Sequence, residues 1–127
     1  MTAQGDLDWL LANMVATVDL VRHAVLLSGD GLPIAASSDM SPDEVDRLAA
    51  LASGVHSLAR GAGQELAAGE VRQTIIEMDL ALLFIAPAGQ GTCLTVVADI
   101  NADAGQVAYE MAVLVQRVGV HMVANPR

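Results

Sequence analysis

The sequence contains no lysine, and its positive charge comes from six arginines alone. Fifteen acidic residues outnumber them, so the formal net charge is −9 with the histidines neutral. Because phosphate binding needs clustered basic side chains, we do not expect direct binding to nucleic acid. The same scarcity of basic residues disfavours an anionic membrane surface as a partner.

Cysteine and long apolar runs are also scarce. The single cysteine, Cys93, excludes an intrachain disulfide, and its apolar neighbours predict a buried strand thiol rather than a reactive one. The longest apolar run, 80–88, has nine residues, whereas a membrane-spanning helix needs about 20. The N-terminus lacks a basic segment followed by an apolar one, so no signal peptide is expected. These features together predict a cytoplasmic protein without membrane insertion.

The overall composition predicts one folded domain over residues 1–127, with a core spanning about 6–122. The length of 127 residues is typical of a single domain, and 54% of the residues are hydrophobic, which excludes disorder. Only 17% of the residues are charged. A chain with so little charge is expected to bury part of its apolar surface against another subunit.

Periodicity predicts helices at both ends of the chain. Apolar residues recur at spacings of three and four over 6–18 and again from the Asp103 cap to about His121 or Met122. After the first helix, two short apolar runs flank an Asp-Gly turn and predict a hairpin. Its second strand contains Pro33, which cannot donate a ladder hydrogen bond, so this strand is expected at a sheet edge.

A strong helix start opens the middle of the sequence. Ser41 can cap, Pro42 suits the first helical position, and Glu44 completes a capping box, so a helix is predicted from there to about Leu66.

Three strands are predicted between this central helix and the last one, over 70–78, 80–86 and 92–100, with a loop at 87–91. Short turns join consecutive strands, which favours a largely antiparallel sheet. The strand at 80–86 is apolar on both faces and therefore requires helices on both sides of the sheet. The predicted fold is α/β (α+β), in the order α-β-β-α-β-β-β-α.

No motif predicts catalysis, a cofactor or a metal site. The sequence has no P-loop, dinucleotide-binding fingerprint or nucleophile elbow. Ser53, His56 and Ser57 lie close together on the central helix, but no carboxylate has the helical spacing needed to orient the histidine. The three histidines fall in different predicted elements and lack the spacing of metal ligands.

The segment 99–110 resembles a calcium-binding loop in part. It places oxygen-bearing side chains at loop positions 1, 3, 5 and 12, namely Asp99, Asn101, Asp103 and Glu110. However, Ala104 stands where the sharp turn needs glycine, and a helix is predicted to begin at that point. We therefore interpret the segment as a capped strand-to-helix junction that does not bind calcium.

The central helix has two apolar faces. One is a heptad-like seam formed by Val45, Leu48, Ala52, Val55, Ala59, Ala62 and Leu66. Leu51, Gly54 and Leu58 lie off this seam. Either both faces contact the same domain, or one packs on a second subunit. The polar strand that follows can protect a sheet edge or pair with a second copy. The predicted dimer interface comprises Val45, Leu48, Ala52, Val55, Ala59, Arg72, Thr74 and Ile76.

The chain resembles the roadblock family, which is related to dynein light chains and to bacterial regulators of small Ras-like GTPases. The resemblance covers about 6–122 and includes Leu10 and Leu11 in the opening helix, the hairpin 24–35, the alanine-rich central helix and the Ala98-Asp99 ending. It implies a five-stranded antiparallel sheet with the central helix on one face and the terminal helices on the other. It also implies a homodimer that joins edge strands and packs the two central helices together.

The resemblance further implies a non-enzymatic regulator or scaffold whose partner is a bacterial Ras-like GTPase, in a signalling complex with a sensor kinase. No arginine finger is evident, although Arg47 and Arg60 on the central helix remain candidates. Six residues off the seam are predicted to bind the GTPase: Asp43, Arg47, Ala50, Ser57, Arg60 and Gln64. The alternative is a small-ligand-binding sensor domain, against which the scarcity of polar residues inside apolar segments counts.

Overall fold

The computed structural model describes residues 3–37 and 39–124, and these residues form three helices and five strands in the predicted order. The helices are α1 (Ala3–Thr17), α2 (Pro42–Glu65) and α3 (Ala104–Ala124). The strands are β1 (Val21–Ser28), β2 (Pro33–Ala36), β3 (Thr74–Glu77), β4 (Ala81–Gly89) and β5 (Thr92–Asp99). The predicted fold class and element order are therefore confirmed. The last helix was predicted to end at about His121 or Met122, with a tail from Val123 to Arg127, whereas α3 continues to Ala124. Residues 125–127 lie outside the described residues.

The five strands form one open antiparallel sheet in the order β2-β1-β5-β4-β3. The strand containing Pro33 lies at one edge, as its missing N–H donor predicts. The short polar strand β3 lies at the other edge. Two strand edges are thus left without a neighbour within the described chain.

Helices cover both faces of the sheet, as the doubly apolar strand predicted. On one face, α1 and α3 pack over a core cluster that includes Leu11, Phe84 and Val107, all nearly inaccessible to solvent. On the other face, α2 packs over a smaller cluster that includes Val25 and Ile85. Because side chains alternate along a strand, neighbouring residues such as Phe84 and Ile85 serve opposite cores.

Two predicted boundaries around β4 are wrong. The strand predicted over 70–78 is shorter, and the loop predicted over 87–91 is strand up to Gly89, with a two-residue turn at Gln90 and Gly91. Both turn residues have positive φ, as hairpin turns of this length require. Pro87 is tolerated within β4 because β3 pairs only with residues 82–85, so the proline needs no second neighbour.

Local capping signals form as predicted at the starts of α2 and α3. Ser41 Oγ accepts a hydrogen bond from the Glu44 backbone N–H, and Glu44 Oε1 accepts one from the Ser41 N–H at 2.8 Å. That second bond is the main reason why the pKa of Glu44 is lowered. At α3, Asp103 Oδ1 accepts from the Gln106 N–H at 3.1 Å, which confirms a capped junction after β5.

Candidate interaction surface

The buried side of α2 lies directly on the sheet. Ala49 and Ala52 are fully buried there, and Val45, Leu48 and Val55 pack partly buried against the same core cluster. The first half of the predicted seam therefore lies on the side of α2 that packs against the sheet of the same chain. In particular, Ala52 has 0% exposure and therefore no side-chain surface with which to contact a second subunit.

Beside this core, α2 carries an apolar flank that is exposed to solvent. Leu51 and Leu58, seven residues apart, are 63% and 79% exposed. The helical repeat places them beside Leu48 and Val55, and we call these four residues the apolar flank. Leu51 and Leu58 lie off the predicted seam, and they are the large apolar side chains of α2 that face solvent.

The apolar flank lies over the same face of the sheet as two side chains of β3. Val55 and Leu83 of β4 pack against the same cluster, and Ile76 of β3 lies opposite Leu83 in the strand register. Directly opposed residues share a face of an antiparallel sheet, so Ile76 and Thr74 lie on the α2 side. Arg72, predicted in this strand, is exposed just before it begins.

The backbone pattern of β3 leaves hydrogen-bonding groups at its free edge. Met78 N–H donates to the Ala81 carbonyl at 2.9 Å, which identifies a hydrogen-bonded pair. Such pairs alternate along an antiparallel ladder, so Ile76 and Thr74 direct their backbone groups toward β4. The backbone groups of Ile75 and Glu77 consequently point outward from the sheet.

The six predicted GTPase-binding residues are all exposed, but they do not form one surface. Asp43, Arg47, Ala50 and Ser57 lie on the outward side of α2. Arg60 and Gln64 instead line a cleft beside the second half of the helix. The structure therefore divides the predicted set in two.

This cleft, which we call the polar cleft, has a volume of about 730 Å³. It lies between the α2 side chains His56, Arg60 and Gln64, the segment 67–71 after α2, and the β4–β5 turn. These elements are distant in sequence. In the sequence alone, the three helical side chains indicate only a polar flank of α2. No sequence signal indicated that they would enclose a cavity.

Two ionisable groups of the polar cleft have shifted pKa values. Partial burial, and secondarily the charge of Arg60, lower the pKa of His56, so its imidazole is neutral at pH 7. Burial raises the pKa of the Cys93 thiol, against a smaller opposing effect of Arg60. Cys93 is 6% exposed, which confirms the predicted buried strand thiol.

The described residues contain no cluster of three or more histidine, cysteine, aspartate or glutamate side chains placed to hold a metal ion. In the segment 99–110, Asp99 is engaged by the Asn101 N–H and by the Arg22 guanidinium instead. None of the helices in the described ranges combines the length and apolarity that a membrane crossing requires.

Comparison with known proteins identifies the family. The model of the Roadblock/LC7 domain matches residues 7–98, and the chain therefore belongs to that family. Among solved structures, it is similar to a Roadblock/LC7 domain from Streptomyces avermitilis, with 46% identity, a TM-score of 0.87, and coverage of 91% of this chain and 97% of that one. A second Roadblock/LC7 domain from the same organism shares 40% identity at a TM-score of 0.73, covering 87% and 96%.

The fold of this chain is also similar to that of a bacterial gliding protein of much lower sequence identity. MglB from Thermus thermophilus has a TM-score of 0.83 with 18% identity, covering 95% of this chain and 91% of that one. At this identity the likeness concerns the fold alone. The search of curated proteins found no match.

Proposed function

We propose that this chain is a non-enzymatic, homodimeric regulator or scaffold for a bacterial Ras-like small GTPase, acting in the cytoplasm. Its membership of the Roadblock/LC7 family carries the proposal. The shape of the chain supports it, because α2 and β3 offer broad surfaces suited to protein contacts.

The dimer forms through the apolar flank and the free edge of β3. Two copies related by a twofold axis would bring these surfaces together, since an isologous interface uses the same patch on both subunits. Fully burying one exposed leucine contributes about 1.5–3 kcal/mol, and Leu51 and Leu58 are both available. The outward backbone groups of Ile75 and Glu77 would meanwhile gain partners across the joined edge.

Light scattering after size exclusion tests the dimer. We expect twice the chain mass of 13.1 kDa for the wild type at micromolar concentration. Leu58→Glu should give the monomer mass with an unchanged circular dichroism spectrum, because its side chain is exposed within one chain. Ala112→Glu introduces the same charge on the exposed side of α3 and should remain dimeric. A monomeric wild type would contradict the interface.

The GTPase contacts the outward side of α2, where Arg47 and Ser57 are exposed. The three aromatic residues of the chain, Trp9, Phe84 and Tyr109, all lie outside α2. Because aromatic anchors are missing there, affinity should be modest and arginine contacts should dominate it.

Binding measurements with each Ras-like GTPase of the host, loaded with GDP or a GTP analogue, test this surface. Arg47→Glu should bind at least about tenfold more weakly while remaining dimeric, since the charge reversal removes an arginine contact on the outward side of α2. Unchanged affinity in a dimeric Arg47→Glu variant would place the surface elsewhere. Failure of the wild type to bind any of these GTPases would refute the function. A sensor kinase is expected to co-purify with the complex when it is isolated from the host.

A further inference from the structure

The polar cleft lies on the flank of α2 opposite the apolar flank. Its helical residues His56, Arg60 and Gln64 follow one another at intervals of four, on the side of Ser53. Ser53 Oγ donates to the Gly29 carbonyl at 3.2 Å and thereby joins this flank to the β1–β2 turn. The cleft is therefore separate from the surface proposed for the dimer.

Backbone hydrogen bonds hold the walls of the cleft in place. Ala68 N–H donates to the Gly63 carbonyl at 2.9 Å, which folds the segment after α2 against the helix. On the other side, Gly29 N–H donates to the Gly91 carbonyl at 2.9 Å and links the two hairpin turns. A cavity with walls fixed in this way is preformed, so a ligand would lose little affinity in ordering it.

Arg60 brings to this cavity a positive charge that has no ion-pair partner within the described residues. Within the described residues, Arg22 has an ion-pair partner in Asp99, whereas Arg60 has no carboxylate within 4.0 Å. The chain has an excess of acidic side chains and a net charge of −9, yet none of those described forms an ion pair with the Arg60 guanidinium. Its planar donors match a carboxylate in a bidentate geometry.

His56 adds a second unsatisfied group. Its Nδ1 atom is buried and has no hydrogen-bond partner in the described part of the chain. Buried polar atoms are normally satisfied by protein, water or ligand, and this nitrogen belongs to a residue that lines the cavity beside Arg60.

Glu70 limits the charge that the cleft can accept. It is the one carboxylate among the lining residues and lies on the segment that closes the cavity. Its charge would repel a second negative group on a ligand, which disfavours polyphosphates and dicarboxylates. The apolar surfaces of Val71, Pro87 and Cys93 complete the lining and suit a small organic body.

We propose that the polar cleft binds a small organic monocarboxylate, with Arg60 holding its carboxylate group beside the imidazole of His56. Gln64 lies one turn beyond Arg60 and supplies a further donor. Such a site would allow this roadblock domain to bind a small ligand at a place separate from its protein contacts.

Titration by heteronuclear NMR tests the proposal, with acetate and benzoate as probes at constant ionic strength. We expect saturable shifts for the amides of Gly63, Gly69 and Gly91, with tighter binding of benzoate because it fills more of the apolar lining. Arg60→Gln should weaken benzoate binding about tenfold or more, as expected for loss of a charged hydrogen bond. Arg47→Gln, on the outward side of the same helix, should bind as the wild type does.

The pKa of the His56 ring, measured with and without ligand, gives a readout that a change in folding would not reproduce. A carboxylate bound beside it should raise its pKa, which burial and the charge of Arg60 lower in the free protein, and Arg60→Gln should abolish this ligand-dependent rise. Glu70→Gln should improve binding of succinate at least as much as that of acetate, because a repulsive charge is removed. Shifts that do not saturate, or equal affinity in Arg60→Gln and wild type, would overturn the proposal. The oligomeric state of the same samples reports separately on the dimer.

Discussion

At the scale of single residues, Ala52 and Leu58 show how position on one helix decides the effect of the same change. Glutamate at position 52 would place an unpaired charge inside the α2-side core, where Ala52 is 0% exposed. Glutamate at position 58 would lie in solvent in the single chain. The two variants therefore separate folding from association.

We expect Ala52→Glu to lower the free energy of unfolding by about 3–5 kcal/mol, the range found when a buried charge lacks a partner. Thermal and urea denaturation followed by circular dichroism measure this loss. Leu58→Glu, compared at a concentration where both chains are monomeric, should unfold at nearly the wild-type midpoint. Equal destabilisation by the two variants would contradict the burial described for α2.

Asp99 is a residue whose protonation should lower the stability of the fold in acid. The Asn101 backbone N–H, followed by the Arg22 guanidinium, lowers its pKa below the ordinary value of 3.8. A lowered folded-state pKa gives stability that is present above pH 3.8 and lost as the pH falls through the folded value. Asp99→Asn should therefore show a smaller loss of stability between pH 5 and pH 2 in urea titrations. An identical pH profile for both proteins would contradict this role.

At the scale of secondary structure elements, the end of α2 is fixed by its contact with the following segment. Ala67 has a φ of +51° and, with Ala68, donates back to the last carbonyls of the helix, the arrangement of a Schellman motif. A Cβ added at Gly63 would lie 2.5 Å from the Gly69 carbonyl oxygen. One at Gly61 would meet nothing within 4 Å.

Two glycine-to-alanine changes in α2 should therefore have opposite signs. Gly61→Ala should raise the free energy of unfolding by about 0.5–1 kcal/mol, because alanine is the better helix former. Gly63→Ala should lower it, since the clash is with backbone that must move away from the helix. Urea denaturation of both variants measures the two effects. Stabilisation by Gly63→Ala would show that the segment after α2 is not held against the helix.

At the scale of the whole molecule, charge opposes the proposed self-association. Two copies with a net charge of −9 each repel one another, and dissolved salt screens this repulsion. We therefore expect the dimer dissociation constant to fall when sodium chloride is raised from about 0.02 M to about 0.2 M, as measured by sedimentation velocity. An interface dominated by ion pairs would weaken with salt instead, and that result would argue against the apolar flank.

The sequence by itself determined the order, type and approximate ends of the elements. These depend on local chemistry: the capping box at Ser41 and Glu44, the Asp-Gly turn of the first hairpin, and the missing donor at Pro33 each act within a few residues. Family resemblance added the arrangement of helices on the sheet. The hairpin of β4 and β5 was placed less well, since a strand can extend past Pro87 only where its neighbour has ended.

Tertiary structure alone decided which face of α2 meets the sheet. Both apolar faces have helical spacing, so periodicity cannot rank them. Small Ala49 and Ala52 fit against the sheet, and Leu51 and Leu58 are consequently left exposed. The polar cleft was equally invisible in the sequence, because its walls come from α2, the segment after it and two hairpin turns, which meet only when the sheet is assembled.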